Sequence, residues 1–256
     1  MNKDIFRQIS IVIVLIITIA VNVLSNTLPF NGVTAPEISD SFDVYFVPAG
    51  YVFSIWGIIY LGLIAYAIYQ VLPAQRENPR LRQIGGWFVL SSAANCIWLV
   101  LWHYGYNILS IVAMLTILTS LIMIYLRLGV KQGDIPAAER WLVHLTFSIY
   151  LGWISVATVA NITGTLYTIN WGGFGISPEI WTFIMLAVVT AVAGLMAYFR
   201  QDIAYMLVIV WAFFGIGVEQ ANTPQIATAA NLAAGVVALF VIIVIVQKLR
   251  QSRLAQ

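Results

Sequence analysis

Eight long apolar stretches constrain this chain more than any other feature of its sequence. A transmembrane helix needs about 20 mostly apolar residues to cross about 30 Å of hydrocarbon. Hydrophobic residues make up 61% of the 256 positions and charged residues only 9%, too few charges for the surface of a soluble protein. We therefore predict an all-α integral membrane protein with eight transmembrane helices. The stretches are Ile5–Leu24, Tyr51–Leu72, Ile84–Trp102, Ile108–Leu128, Trp141–Asn161, Glu179–Phe199, Ile203–Val218 and Ile226–Val246.

The basic residues predict the orientation of these spans. If the chain crosses the membrane eight times, all twelve Lys and Arg residues lie on one side, together with both termini. A miscounted span would move every basic loop after it to the other side. Because positively charged loops stay in the cytoplasm, we predict cytoplasmic N- and C-termini in a bacterial cytoplasmic membrane. The basic residues are Lys3, Arg7, Arg76, Arg80, Arg82, Arg127, Lys131, Arg140, Arg200, Lys248, Arg250 and Arg253.

The outer side of the predicted topology carries acidic residues and no basic ones. These are Glu37, Asp40, Asp43, Glu179 and Glu219. The net charge of the whole chain is only +2, which is too small to favour a nucleic acid as a partner. Composition therefore identifies the lipid bilayer as the partner of this chain.

The outer loop Ser25–Val47 is longer than most connections between helices. It contains Pro29, Gly32 and Pro36 and is followed by Pro48. Loops of this length act as lids or binding loops, or they are merely tolerated connections. The sequence leaves both interpretations open.

Three predicted helices carry aromatic and amide side chains on one face, because the residues recur at i, i+3 and i+7. All three stripes fall in the middle to outer half of the bilayer, so they can line one cavity beneath the outer loop. An amide there must face protein or a cavity rather than lipid. Packing between helices would also produce such stripes. The stripes are Phe53, Trp56 and Tyr60, then Asn95, Trp98 and Trp102, then Tyr150, Trp153, Ala157 and Asn161.

Further Trp and Tyr residues lie near the predicted ends of spans. Aromatic residues gather at membrane interfaces because their rings are apolar and their N–H or O–H groups favour water. We therefore assign these residues to the interfacial belts. They are Trp87, Trp102, Tyr104, Tyr106, Trp141, Trp171 and Trp181.

Side chains that carry conventional catalysis or bind metals are sparse. His103 and His144 are predicted at opposite faces of the membrane, so they cannot share a metal ion. Cys96 is the lone cysteine and has no His or Cys at ligand spacing. We predict no catalytic residues and no metal site, and an enzyme is the less favoured class.

The aromatic stripes carry a resemblance to a known family. The second span is preceded by Pro48-Ala49-Gly50 and contains Tyr51-Val52-Phe53, Trp56 and Tyr60; the third contains Asn95-Cys96-Ile97-Trp98. The fifth reads Tyr150-Leu151-Gly152-Trp153-Ile154-Ser155-Val156-Ala157, followed by Asn161. Together these motifs resemble the TspO/MBR family, the tryptophan-rich sensory proteins that include the peripheral benzodiazepine receptor. The chain departs from the family pattern at Ala49, where the family has a second proline, and in a Phe53-to-Trp56 spacing that is one residue short.

The resemblance implies a five-helix core over residues 1–165, with residues 25–47 as its lid. Residues 166–256 then form three additional transmembrane helices, so the chain resembles an extended, divergent branch. The family implies a receptor- or sensor-like protein that binds a flat apolar molecule resembling a porphyrin, sterol or isoquinoline. No cofactor is required, and a porphyrin or haem-like ligand is implied. The implied ligand-binding residues are Phe53, Trp56, Tyr60, Asn95, Trp98, Tyr150, Trp153, Ala157 and Asn161.

Two other functions and one assembly remain open. Facilitated transport of a small apolar solute is one alternative, although Glu179, Asp202 and Glu219 lie at span ends rather than mid-membrane, where coupled transporters place such groups. Light-dependent porphyrin degradation, proposed for some family members, is the other. The small residues of Ala227–Gly235 allow close helix contact within the chain or in a homo-oligomer.

The predicted pocket has no basic residue near it, because every Lys and Arg is on the other side. The propionates of a porphyrin would find only N–H donors, His103 and water there. We therefore predict a preference for neutral or weakly cationic ligands over dicarboxylic porphyrins.

Overall fold

A computed structural model describes residues 3–27, 30–130 and 135–254, and all regular elements within these ranges are helical. Pro29 of the predicted lid and Lys131 among the basic residues lie outside the described residues, as does the side chain of Arg253. The helices are α1 (Lys3–Thr27), α2 (Ala35–Asp40), α3 (Ile55–Val71), α4 (Pro79–His103), α5 (Asn107–Leu128), α6 (Ala137–Glu139), α7 (Leu145–Thr168), α8 (Pro178–Arg200), α9 (Ile203–Glu219) and α10 (Pro224–Leu254).

The predicted all-helical class is confirmed. Seven of the helical segments in the described part of the chain are long and apolar enough to cross a membrane. The predicted seventh span is the apolar helix α9, which has 17 residues and is shorter than these seven segments. The count of eight spans and the side of the termini stay predictions.

Several helices extend beyond their predicted spans because polar residues cap them outside the apolar segment. Helix α4 begins at Pro79 rather than Ile84, since the Asn78 side chain accepts from the backbone N–H groups of Arg80 (3.0 Å) and Leu81 (3.4 Å). Hydropathy alone marks the apolar part of a helix and misses such capped ends.

The first five long helices close into a ring. Helix α1 packs against α3 and α4, α4 packs against α5, α5 packs against α7, and α7 returns to α3. The interior of this ring holds the three aromatic stripes. Each of its helices therefore presents one face to a shared interior.

A buried carboxylate closes the end of the ring opposite the outer loop. Glu139 is fully buried and accepts hydrogen bonds from Asn78 Nδ2 (3.0 Å) and Arg80 Nη2 (3.2 Å). His144 Nε2 lies 3.6 Å from the same carboxylate, across the π-helical turn Arg140–His144 that joins α6 to α7. These contacts join the start of α4 to the start of α7.

The outer loop folds over the outer end of the ring and contains α2. Thr34 donates its backbone N–H (2.6 Å) and its hydroxyl (2.7 Å) to Glu37, and these bonds hold the pKa of that carboxyl below its usual value. Phe42 packs on Gly164 of α7, where a Cβ atom would lie 2.9 Å from its ring. The described part of the loop is thus a packed cover.

Helices α8, α9 and α10 lie outside the ring and join it through α9, which packs against α7. The Gly215 carbonyl accepts from the Ala49 backbone N–H (3.1 Å), and Trp211 Nε1 donates to the Val52 carbonyl (3.2 Å). These contacts cross the predicted domain boundary at residue 165, which itself stays a prediction.

Asp202 makes the most polar contact across that boundary. Its side chain is fully buried and accepts from Tyr125 Oη of α5 (2.8 Å) and Ser148 Oγ of α7 (2.6 Å). It also caps α9 through the Tyr205 backbone N–H (3.3 Å). Sequence analysis places this residue at a span end, and the structure adds its hydroxyl partners.

We expect Asp202→Ala to lower the midpoint of thermal unfolding in detergent more than any exposed acid-to-alanine change does. The substitution removes a helix cap and leaves two buried hydroxyls without an acceptor, which together cost about 2–4 kcal/mol. Asp202→Asn keeps one acceptor oxygen and should cost less. Glu77→Ala is the control, because its side chain is 81% exposed. An equal midpoint for Asp202→Ala and the parent would contradict this prediction.

The predicted orientation can be tested with single cysteines in a Cys96→Ser background. On intact cells, a membrane-impermeant maleimide should label Gly172→Cys, between α7 and α8, but neither Ala74→Cys, between α3 and α4, nor Gln251→Cys in α10. All three should react after lysis. Labelling of Gln251→Cys in intact cells would contradict a cytoplasmic C-terminus, and labelling of Ala74→Cys would contradict the span count.

Candidate ligand-binding site

Two adjoining cavities lie at the outer end of the ring. The bundle cavity, of about 40 Å³, is enclosed by α3, α4 and α7 and covered by Phe42, Val47 and Pro48 of the outer loop and the segment after it. The lid cavity, of about 330 Å³, lies between α1, α2, α3 and α4. Both cavities are lined by Phe53, Trp56 and Trp98, so these three side chains separate them.

The structure brings together seven of the nine predicted ligand-binding residues as cavity walls. Asn95 (0% exposed) and Tyr150 (3% exposed) line neither cavity and lie behind these walls. Tyr60 lines the lid cavity. The bundle cavity is lined by Phe53, Trp56, Trp98, Trp153, Ala157 and Asn161.

Trp56 is the centre of the aromatic wall. Its ring stacks on Tyr60, one helical turn away, with centroids 5.4 Å apart and planes 19° apart. It meets Tyr150 (5.8 Å) and Trp153 (6.4 Å) edge to face across the ring of helices. Phe53 meets Trp153 in the same way at 5.7 Å. Edge-to-face pairs and offset stacks are favourable arrangements of aromatic rings, so the rings of this wall are well packed and hold defined orientations.

Asn161 is the polar centre of the bundle cavity. Its Oδ1 accepts from Trp98 Nε1 at 2.7 Å, and its Nδ2 donates to Ser110 Oγ at 3.0 Å. One amide thereby joins α7 to α4 and to α5. Amide and indole groups in an apolar interior need such partners, which explains why both residues face inward.

Asn95 forms a separate polar contact, between α4 and α1. Its Oδ1 accepts from Asn22 Nδ2 of α1 at 2.8 Å. This bond makes Asn95 a link between helices, which is the packing alternative that the sequence leaves open. Asn22 itself lines the lid cavity.

Two buried donors in the aromatic wall have no hydrogen-bond partner among the described residues. They are the Tyr60 hydroxyl and the Trp153 indole N–H. Buried donors are normally paired, and an unpaired one costs about 1–3 kcal/mol. Neither donor atom is exposed to a cavity in this conformation, so a ligand that paired with them would need the aromatic wall to open.

Sequence analysis missed residues that line the cavities, and one assignment needs correction. Trp102 was assigned to the interfacial belt as well as to a stripe, but it is 7% exposed and stacks on Trp98 with centroids 5.1 Å apart. Its spacing of four residues from Trp98 is the signal for that inward position. The sequence contains no such signal for Phe42, because helical periodicity does not extend into a loop.

The cavity walls carry no charge within the described residues. His103, a predicted neighbour of the ligand, lines neither cavity: its ring is 3% exposed, and its Nδ1 bonds to the Leu99 carbonyl at 2.8 Å. Phe30 packs edge-on against that ring. An anionic ligand would therefore meet uncharged side-chain donors: indole, amide, phenol and the hydroxyls of Ser39 and Ser54.

The cavity volumes limit what the site holds in this conformation. About 40 Å³ accommodates about three water molecules, so a tetrapyrrole does not fit the bundle cavity as it stands. About 330 Å³ is at the lower end of the range for small-molecule sites. A large flat ligand needs the two cavities to merge, with the cover over α7 displaced.

A family model described as TSPO-like protein matches residues 8–244 of this chain. The match confirms the resemblance drawn from the aromatic motifs and also extends past residue 165 through α8 and α9 into α10. Neither the curated proteins nor the solved structures give a match. With the long apolar helices, the family match indicates an integral membrane protein of the sensor or receptor type. The chain belongs to the family of TSPO-like proteins.

Proposed function

We propose that this protein is a membrane receptor that binds a flat apolar molecule between α3, α4 and α7. The observation that carries the proposal is the pair of buried, unpartnered donors, Tyr60 Oη and Trp153 Nε1, on uncharged aromatic walls. Aromatic rings provide stacking area for a planar ligand, and a few donors fix its orientation.

Each cavity would contribute a different part of the site. The lid cavity has the volume, and Tyr60 lies in its wall. The bundle cavity has the tryptophans, with Trp153 in its wall. Trp56 stands between them with Phe53 and Trp98, so a rearrangement of these side chains, together with displacement of Phe42 from Gly164, would join the cavities.

The outer loop would control access to this site. Phe42 rests on Gly164 without a larger side chain beneath it. The described residues of the loop make few other polar contacts with the ring, such as Asn31 Nδ2 to the His103 carbonyl at 3.3 Å. Lids that open and close around a ligand use contacts of this limited strength.

Tryptophan fluorescence can test the site on the purified full chain. We expect a porphyrin diester, a sterol or an isoquinoline carboxamide to quench the emission in a saturable manner. Trp56→Phe and Trp153→Phe should each weaken that binding by about tenfold, because each removes an aromatic contact or a donor from the wall. Trp141→Phe is the matched control, since Trp141 is 66% exposed at the other end of the bundle.

Three results would contradict the proposed site. The first is the absence of saturable quenching with every member of the panel. The second is an affinity for the two cavity variants that equals the affinity of the parent and of Trp141→Phe. A loss of affinity in all three variants alike would also contradict it, because the effect would then not depend on the cavity.

The uncharged walls predict which porphyrin binds better. Protoporphyrin IX carries two carboxylates, and burying them here without a cationic partner is unfavourable. We expect its dimethyl ester to bind at least about tenfold more tightly than the diacid in the same quenching assay. Micromolar binding of the diacid together with weaker binding of the ester would overturn this prediction.

A further inference from the structure

A third cavity, of about 530 Å³, lies outside the ring between the outer ends of α7 and α8. Its other walls are the segment 43–46 at the end of the outer loop and the connection between α7 and α8. None of its lining residues lines the bundle cavity or the lid cavity. On α7 the division is by helix face: Val159 and Ile162 line this outer cavity, whereas Ala157 and Asn161 face the bundle cavity.

The walls of the outer cavity are aromatic and held in position by hydrogen bonds. Trp171 and Trp181 pack on each other with ring centroids 5.3 Å apart, which gives these two residues a role beyond the interfacial belt predicted for them. Trp181 Nε1 donates to the Gly173 carbonyl at 2.9 Å, and Tyr45 Oη donates to Glu179 at 3.1 Å. The first bond fixes the α7–α8 connection, and the second fixes the loop segment against α8.

The connection between α7 and α8 is tightly wound at this wall. Gly173 (φ 61°) and Phe174 (φ 55°) both have left-handed backbone conformations, which are rare for a bulky residue such as Phe174. The contact of Trp181 with Gly173 leaves little room for a Cβ atom there, since its indole nitrogen would be 3.2 Å away. The wall is therefore preformed around the indole of Trp181.

The outer cavity changes from charged to apolar along its length. Asp43 is exposed at its rim and is the one charged group among the described lining residues. Met185 and Val159 line it further along the helices, with Met185 about 10 Å along α8 from Pro178. A carboxylate beside aromatic faces attracts a cation, since aromatic faces and carboxylates are both negative.

We propose that the outer cavity is a second binding site and that it takes a lipophilic monovalent cation. The charged group of this ligand lies beside Asp43 and the rings of Tyr45 and Trp171, and its apolar part contacts α7 and α8. An amphiphilic amine offers this chemistry as a whole molecule, and the zwitterionic phosphatidylcholine headgroup offers it at its quaternary ammonium end. Anions are disfavoured, because every charged residue on the predicted outer side of the chain is acidic.

The probe for this site is tetraphenylphosphonium, with tetraphenylborate as an anion of similar size and shape. We expect calorimetry on the purified full chain to give saturable binding of the cation and at least about tenfold weaker binding of the anion. Asp43→Asn should weaken binding of the cation by about threefold or more. Trp171→Leu should do the same, because it removes an aromatic face.

Two controls separate this site from the rest of the molecule. Asp40→Asn changes a carboxylate on the same loop that lines none of the three cavities, and it should bind the cation like the parent. Trp153→Phe changes the bundle cavity and should also leave cation binding unchanged. Thermal unfolding of Asp43→Asn and Trp171→Leu shows whether each variant is folded. Because Asp43 is exposed, its substitution should disturb the fold less than that of Trp171.

The proposal is overturned if Asp43→Asn binds the cation within twofold of the parent, if the anion binds as tightly as the cation, or if Trp153→Phe abolishes cation binding. The last result would indicate that the cation binds in the bundle cavity instead. Failure here leaves the proposed receptor site intact, since that site is tested with neutral ligands and different variants. Competition by dihexanoyl phosphatidylcholine, but not by dihexanoylglycerol, supports a lipid headgroup as the occupant. The absence of competition excludes that headgroup and leaves the amphiphilic amine.

Discussion

The hydrogen-bonded Asn161 amide is the interaction on which the arrangement of the ring depends. In an apolar interior, donors and acceptors must find partners within the protein, so a single amide can fix the relative position of several helices. Asn161 joins α7 to Trp98 of α4 and to Ser110 of α5. The distance and direction of these bonds set how far α4 stands from α7, and therefore how large the bundle cavity between them is. The tryptophans then fill most of the space that this polar contact leaves.

The segment 42–48 forms walls of two cavities at once. Phe42, Val47 and Pro48 cover the bundle cavity, whereas residues 43–46 line the outer cavity. Phe46 between them is fully buried, so the segment is anchored in the core and its two faces are not independent. A displacement of Phe42 that opens the ring therefore also moves Tyr45, which donates a hydrogen bond to Glu179. The same segment thus joins access to the proposed receptor site with the geometry of the outer cavity.

Much of the ring could be predicted from the sequence, because each stripe follows a fixed helical period. The i, i+3, i+7 spacing places Trp98 and Asn161 on inward faces, and their hydrogen bond follows once those faces meet. The sequence does not assign Trp102 to an inward position, because an indole near a helix end can pair its N–H with water as well as with protein. The hydroxyl partners of Asp202 are 77 and 54 residues away along the chain, and no local pattern encodes such contacts. The small volume of the bundle cavity also depends on side-chain rotamers, which periodicity does not specify.

The helices that follow the ring position the site through one close approach. A Cβ atom on Gly215 of α9 would collide with the Val52 side chain, so only glycine lets α9 approach the turn that leads into α3. Two hydrogen bonds, from the Ala49 N–H to Gly215 and from Trp211 to Val52, hold that turn against α9. Phe53 and Trp56 follow directly after it and separate the two cavities of the ring. Because the turn determines where both side chains begin, α9 acts on the aromatic wall without contributing a residue to it. The family match, which includes α9, accords with this packing: the added helices support the start of α3, where the stripe that lines the cavities begins.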